Sequence, residues 1–183
     1  MLRSFFTGIA LSSVILATGT LGVSANAKTS TSTLEPHQLL TNTPGTSYVA
    51  QTNTLTSIEQ AIHTQINQYR QQHNLPALKL DERISNIART HSQNMASGAV
   101  AFSHIGFQER VQAIAKIIPL QAAAENVAYN KGYSDPASQA VQGWLNSSGH
   151  RQNIEGQYNL TGIGVAQNSK GEYYFTQIFI RKR

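Results

Sequence analysis

The spacing of apolar residues changes along this chain from a helical repeat to strand-like runs, and this change limits the possible folds. Between residues 56 and 145, apolar positions recur every three or four residues, as in helices with one buried face. Residues 160–166 and 173–180 are strand-like, and the turn-forming residues 167–171 between them predict an antiparallel hairpin that closes the domain. Helices followed by a small sheet predict the α+β class.

Capping residues mark where the helices are expected to begin. A hydroxyl at Thr56 followed by Glu59 forms a capping-box pattern, so the first helix is expected to start there. The side chains of Asp81 and Asp135 are suited to cap the starts of two later helices. Residues 107–116 have the apolar spacing of a further helix between them.

The segment from Trp144 to Ile154 is the most informative about a site. Trp144 lies on the predicted buried face of its helix. Gly149 is expected to end that helix, since glycine tolerates the positive φ found just past a helix end. His150 would then stand at a fixed turn, where its imidazole can act as a base, an acid or a metal ligand near neutral pH.

The N-terminal residues have the pattern of a targeting segment rather than of a folded element. Residues 1–27 combine a positive start, an apolar stretch and small residues before a cleavage point after Ala27, with a retained membrane anchor as the alternative. Residues 28–55 are rich in Thr and Ser and predict a flexible linker, which leaves residues 56–183 as the folded domain. No later stretch is apolar enough to span a bilayer, so we expect a secreted or periplasmic protein.

The chain contains no cysteine, so an exported domain of this kind must be held together by its hydrophobic core alone. The same absence excludes a cysteine nucleophile and a thiolate zinc site. The 14 Lys and Arg residues against 9 Asp and Glu give a formal charge of +5, and three of the cations form the terminal run Arg181–Arg183. That run has no interleaved aromatic residues, which favours a solvated tail and predicts no nucleic-acid partner.

Three residues able to do chemistry lie outside the predicted helices or at a helix end: His104, Glu125, on a short predicted edge strand, and His150. Two imidazoles and one carboxylate can bind a divalent metal ion with positions left for water, or can transfer protons without a metal. None of the three lies within a local catalytic motif, so spacing alone favours histidines that cap helix ends or bond loop carbonyls. His91, on a helical apolar stripe, is expected to be a core histidine with satisfied ring nitrogens.

Five phrases in a fixed order carry a resemblance to a known family. They are Ala88–Ala96, Phe102–His104, Ala124–Ala128, Gly143–Ile154 and Tyr174–Phe179. Together, over about residues 56–183, they resemble the bacterial form of the CAP or SCP superfamily, which includes cysteine-rich secretory proteins, antigen-five and plant pathogenesis-related proteins. The resemblance implies a three-layer α-β-α sandwich with a small, mainly antiparallel sheet and a cleft on one side.

In this family the cleft often holds a tetrad of two histidines and two acidic residues. His104 resembles the first histidine and Glu125 the first acid, whereas the positions of the other acid and the other histidine hold Ser147 and Tyr174 here. His150 is similar to the histidine of the Ser-x-Gly-His-Arg phrase of bacterial members. The resemblance implies that His104, His150 and Glu125 can bind a divalent metal ion, zinc first, and some members bind lipids or sterols elsewhere.

Two functions of different classes are open to such a chain. The first, which we favour, is an exported, monomeric binding module that acts at the cell envelope or outside the cell on a lipid, protein or other envelope partner. The missing tetrad acid and the lack of a nucleophile motif support it. The alternative is a metal-assisted hydrolase of peptide or cell-envelope substrates, in which Glu125 is the candidate proton acceptor.

Overall fold

The computed structural model of the protein describes the backbone of residues 44–183 and the side-chain surroundings of residues 51–183. The predicted signal peptide and the first part of the predicted linker lie outside these residues. Within them, no helix combines the length and the apolar character needed to cross a membrane. The helices and strands are, in chain order, α1 (Pro44–Gln72), β1 (Lys79–Leu80), α2 (Glu82–Ala96), α3 (Phe107–Ala115), β2 (Leu120–Lys131), α4 (Pro136–Asn146), α5 (Ser148–Glu155), β3 (Leu160–Gln167) and β4 (Glu172–Lys182).

The strands of the described residues form one mixed sheet in the order β1-β3-β4-β2. β3 and β4 pair antiparallel, which confirms the predicted hairpin, and β2 pairs antiparallel with β4. The short β1 runs parallel to β3. The sequence analysis does not predict β1, because two residues are too few to show the period of a strand. β2 lies at an edge of the sheet, as expected for the strand that carries Glu125.

Alternate residues of β4 pack against helices on the two faces of the sheet. Phe175 and Phe179 belong to the apolar core formed with α1, α4 and α5, whereas Ile178 and Ile180 belong to the core formed with α2 and α3. Because successive side chains of a strand point to opposite faces, the sheet is covered by helices on both sides. These layers confirm the predicted three-layer α-β-α sandwich and the α+β class.

α2 approaches the sheet so closely that two positions of β3 have no room for a side chain. A Cβ atom at Gly162 would overlap Ile84 of α2, and one at Gly164 would overlap Arg89. The close approach also lets Ser92 Oγ of α2 donate a hydrogen bond to the carbonyl of Gly164 at 2.9 Å. Glycine is therefore required at both positions for the packing of α2 on the sheet.

The first helix differs from the prediction at its start. α1 begins at Pro44 rather than at Thr56, so residues 44–55 are helical, whereas the sequence analysis assigns them to a flexible linker. Glu59, which was expected to close the capping box, is instead buried and accepts hydrogen bonds from Arg89. A tertiary contact thus uses the side chain that was expected to cap the start of the helix.

α4 ends earlier than predicted, and a separate short helix follows it. Asn146 is the last residue of α4, Ser147 is extended with φ −97° and ψ 120°, and α5 begins at Ser148. Gly149 lies inside α5 and is not among the residues with positive φ, so the prediction that it ends the helix is wrong. His150 is consequently presented by a helix rather than by a turn.

The other predicted helix starts are confirmed. Asp81 caps α2 by accepting a hydrogen bond from the N–H of Arg83 at 3.0 Å, and Asp135 caps α4 by accepting one from the N–H of Ser138 at 2.9 Å. α3 covers nearly the whole of the predicted helix at residues 107–116. These boundaries depend on residues a few positions apart, so the sequence contains the information that places them.

Candidate functional site

The candidate site lies where α4 and α5 close over the edge strand β2. Two carbonyl groups of β2 accept side-chain hydrogen bonds, that of Val127 from Trp144 Nε1 at 2.9 Å and that of Glu125 from Asn153 Nδ2 at 3.2 Å. These bonds satisfy backbone groups that an edge strand would otherwise leave unpaired. Trp144 is 1% exposed, in agreement with its expected place on the buried face of its helix.

Asn126 holds α5 against this edge. Its Nδ2 donates to the carbonyl of His150 at 3.1 Å, and its Oδ1 accepts a hydrogen bond from Asn153 Nδ2 at 2.9 Å. Asn126 is fully buried, and its bond to the carbonyl of His150 is shielded from water. The position of His150 therefore depends on β2 as well as on its own helix.

The structure brings the three predicted site residues together from three separate elements. His104 lies in the loop before α3, Glu125 in β2 and His150 in α5. His104 Nδ1 donates to Glu125 Oε1 at 3.0 Å, and the rings of His104 and His150 have centroids 6.4 Å apart with an interplanar angle of 42°. Because Nδ1 of His104 carries the proton that Glu125 accepts, Nε2 has the free lone pair when this ring is neutral.

Arg110 of α3 is the site residue that the sequence analysis missed. Its Nε donates to Glu125 Oε2 and its Nη2 to Glu125 Oε1, both at 2.7 Å, which makes a two-point ion pair. Its Nη1 also donates to the carbonyl of Ile105 at 2.9 Å. One signal could have found it, since a carboxylate on a buried strand needs a compensating cation and α3 immediately precedes β2.

Glu125 is an ionised carboxylate with both oxygens engaged. Its side chain is 1% exposed, and this burial acts to raise its pKa. The hydrogen bonds from His104 and Arg110 outweigh burial and hold the pKa below the ordinary value of 4.5. Glu125 therefore orients the histidine beside it and is a weak proton acceptor near neutral pH.

His91 is the buried histidine that the sequence analysis expects, and both of its ring nitrogens are bonded. Nε2 donates to the carbonyl of Ser103 at 2.9 Å, and Nδ1 accepts a hydrogen bond from Arg110 Nη1 at 3.2 Å. Burial, and then the charge of Arg110, lower its pKa below the ordinary value of 6.5. Through Arg110 this ring is connected to Glu125, so it lies directly beside the site.

His150 differs from His91 because part of its bonding capacity is unused. Its Nε2 is buried and has no hydrogen-bond partner in the part of the chain that the structure describes. Burial, and then the proximity of His104, lower the pKa of His150 below 6.5, so the ring is neutral at pH 7. A buried polar atom costs free energy unless something bonds it, which makes Nε2 the atom of this site best suited to meet a ligand.

The two remaining tetrad positions add no ligand here. Ser147 joins α4 to α5, and Tyr174 on β4 packs its ring against Tyr129 with centroids 5.2 Å apart. Across residues 51–183, no three His, Asp or Glu side chains are grouped so as to hold a metal ion. Because both oxygens of Glu125 already accept hydrogen bonds, the two histidines are the residues that fit a metal ion. Binding of a metal ion by His104, His150 and Glu125 together stays a prediction.

The fold and the arrangement of these residues agree with the family that the sequence resembles. The sequence model described as the cysteine-rich secretory protein family (CAP) matches residues 63–179, and this chain belongs to that family. One relative is the uncharacterized membrane protein YlbC of Bacillus subtilis (strain 168), which is 34% identical over 133 residues. The match covers 69% of this chain and 35% of YlbC, so the chain spans about a third of that relative.

Two solved structures show the same fold. An extracellular protein containing a SCP domain from Bacillus anthracis str. Ames is 36% identical with a TM-score of 0.56, over 69% of this chain and 41% of that chain. An outer surface protein from Borrelia burgdorferi is 15% identical with a TM-score of 0.60, over 69% of this chain and 94% of that chain. At that identity, the second likeness concerns the fold alone.

Proposed function

We propose that this protein is an exported CAP-domain binding module that acts at the cell envelope or outside the cell, and that its paired histidines bind a divalent metal ion, zinc first. The location is supported by two similar proteins, which are described as a membrane protein and as an extracellular protein. The partner is a lipid, a protein or another envelope component, and the module acts as a monomer.

The two-point ion pair between Arg110 and Glu125 is the observation that favours a binding module over a hydrolase. In a metal-assisted hydrolase, Glu125 would accept a proton from metal-bound water, which requires a free oxygen and a pKa near the operating pH. Here both oxygens accept hydrogen bonds from Arg110 at 2.7 Å, and the pKa is lowered from its ordinary value. Such a carboxylate positions its neighbours and does not move protons readily.

The same carboxylate supports metal binding by the histidines. Glu125 accepts the proton of His104 Nδ1, and this carboxylate–histidine arrangement fixes the tautomer that leaves Nε2 for a metal ion. His150 offers a second nitrogen, Nε2, which has no partner among the described residues. A zinc ion bound by the two rings would supply positive charge and open coordination positions for donor atoms of a partner.

Calorimetric zinc titrations test this proposal. His104→Ala and His150→Ala should each abolish zinc binding, because each removes one of the two ring nitrogens that the site provides. His73→Gln is the matched control, since His73 is exposed and stacks on Tyr69, away from the site. His91 is a poor control, because its ring contacts the arginine of the site.

Zinc affinity should also fall on acidification, since both imidazoles must be deprotonated to bind. Between pH 7.5 and pH 5.5 the loss should stay below the roughly hundredfold expected for two ordinary imidazoles, because the lowered pKa of His150 keeps that ring neutral to lower pH. Equal affinity in the wild type and in the variant carrying both His104→Ala and His150→Ala would contradict the proposal. Metal-dependent turnover of any substrate in a panel of peptides and envelope polymers would favour the hydrolase instead.

A further inference from the structure

A second group of side chains, which includes Tyr174 at one of the tetrad positions, lies near the C-terminal end of α2. Phe102, Tyr129 and Tyr174 contact one another there through their rings, and we call these three residues the aromatic ladder. Ring centroids are 6.4 Å apart between Phe102 and Tyr129 and 5.2 Å apart between Tyr129 and Tyr174. Tyr129, in the middle of the ladder, is 44% exposed, so its ring can be reached from solvent.

An open cavity of about 590 Å³ adjoins the aromatic ladder. Tyr174 belongs to both, and the last residues of α2 and the turn between β3 and β4 form the other walls. The polar side chains that line the cavity include Gln93, Asn168, Lys170 and Glu172. A volume of this size is in the range of sites for small ligands and ligand fragments.

Hydrogen bonds join the ladder to the cavity. Tyr129 Oη donates to Glu172 Oε1 at 3.3 Å, and Asn168 Nδ2 donates to Glu172 Oε2 at 2.6 Å. Lys131 Nζ lies 3.9 Å from Glu172 Oε1 on the same side. The exposed ring is therefore bordered by groups that both donate and accept hydrogen bonds, which suits a ligand with flat apolar faces and polar edges.

We propose that the aromatic ladder and the cavity bind a pyranose oligosaccharide, with one sugar ring stacked on Tyr129 and with its hydroxyl and amide groups bonded by the polar side chains of the cavity. The C–H groups on the face of a sugar ring carry slight positive charge, and the face of an aromatic ring is negative. The inference names a partner class for the proposed binding module and rests on that role. It does not require a metal ion.

Other ligand classes fit this surface less well. A lipid chain requires a long apolar cavity, whereas this cavity is open and its walls mix polar with apolar side chains. A nucleic-acid strand could stack on the rings, but its phosphates need several cations, and Lys170 shares the cavity with the acidic Glu172. A proline-rich peptide can also dock on exposed aromatic rings, so such a peptide is titrated in parallel with the glycan.

An NMR titration with a soluble β-linked hexamer of N-acetylglucosamine, in buffer containing a metal chelator, tests the inference. The wild type should bind the hexamer saturably, and Tyr129→Ala should weaken binding about tenfold, as loss of a stacked ring does. Tyr129→Phe should retain most of the affinity. Tyr133→Ala is the matched control, because Tyr133 is 40% exposed and lies outside the ladder. The fluorescence of Trp144, the only tryptophan, verifies that each variant is folded.

Three results would overturn the inference. They are no binding of the hexamer by the folded wild type, equal losses of affinity in Tyr129→Ala and Tyr133→Ala, and binding of a proline-rich peptide at the ladder in place of the hexamer. A protein that binds zinc through His104 and His150 but does not bind the hexamer would refute the glycan inference and leave the proposed function standing. The reverse result would support the glycan inference and refute the metal site.

Discussion

At the scale of single residues, Arg110 and Glu125 arrange the site without belonging to its open part. The side chains of Glu125 and Arg110 are 1% and 11% exposed, so this ion pair is screened little by solvent. Arg110 bonds His91 on one side and Glu125 on the other, and Glu125 in turn bonds His104. This continuous chain of hydrogen bonds determines the tautomer and the orientation of the histidine that faces His150.

We expect Arg110→Ala to lower the free energy of unfolding by about 3–5 kcal/mol, because it leaves the buried charge of Glu125 without its cation. Urea denaturation measures the loss, and adding Glu125→Gln to the same chain should recover part of it. The control is Arg83→Ala, since Arg83 pairs with Asp81 on the surface and its side chain is 56% exposed. That change should cost much less, since a surface ion pair contributes little to stability. Equal losses in the two single variants would mean that the buried pair contributes no more than a surface pair.

At the scale of secondary structure, α1 includes exposed residues ahead of its buried part. Residues 51–54 are exposed, whereas Ile58, Ile62 and Ile66 are buried in the core shared with α4 and α5. Helix formation is cooperative, so a stretch with little apolar surface can continue a helix that packing has already fixed. The composition of residues 51–54 indicates that they bury little apolar surface. Composition does not indicate the backbone conformation of these residues.

A chain that begins at Thr54 should therefore unfold cooperatively, with a free energy of unfolding within about 1 kcal/mol of that of the mature chain. A matched truncation that begins at Gln60 also removes Ile58 and Glu59. It should cost several kcal/mol, since it leaves the charge of Arg89 without its buried partner. Thermal or urea unfolding of both chains is the measurement. A large loss in the first truncation would show that residues before Thr54 pack on the domain.

At the scale of the whole molecule, two buried neutral histidines make the fold sensitive to acid. Burial is the first cause that lowers the pKa of His91 and of His150 below 6.5. In the unfolded chain both rings take up protons near pH 6.5, while in the folded protein they stay neutral to lower pH. Lowering the pH through this window therefore stabilises the unfolded state relative to the folded state.

We expect the free energy of unfolding to fall between pH 7 and pH 5, by up to about 1.4 kcal/mol per pH unit for each of these histidines. Urea midpoints measured across this range would show it. His91→Gln can keep the bonds to Ser103 and Arg110 and should make the dependence less steep, whereas His73→Gln, at an exposed position, should not. A stability that does not change between pH 7 and pH 5 would contradict this expectation.

Export is a prediction about the intact chain. If residues 1–27 are a signal peptide cut after Ala27, mass spectrometry of the exported protein should find Lys28 as the first residue. A variant with a charged residue at Ala27 should be processed poorly, since the peptidase requires a small residue at that position. Intact Met1 in the membrane fraction of wild-type cells would indicate the retained anchor instead.

Features that depend on neighbouring residues could be predicted from the sequence. The α+β class follows from the change in apolar spacing, and the caps at Asp81 and Asp135 follow from side chains that bond N–H groups two or three residues on. The helical spacing also indicates that Trp144 is buried. The resemblance to a family, rather than spacing, is what pointed to His104, Glu125 and His150 as neighbours.

The pairing of distant side chains could not be predicted in this way, because it depends on how the helices and strands pack. Glu59 has the position of a capping residue, yet it bonds Arg89 thirty residues away, and Glu125 bonds Arg110 fifteen residues away. A local cap contributes about 1 kcal/mol, whereas a buried charge without a partner costs several. Burial within the three layers therefore overrides the local pattern, and the partner of a buried charge is known only once the packed helices and strands are in place.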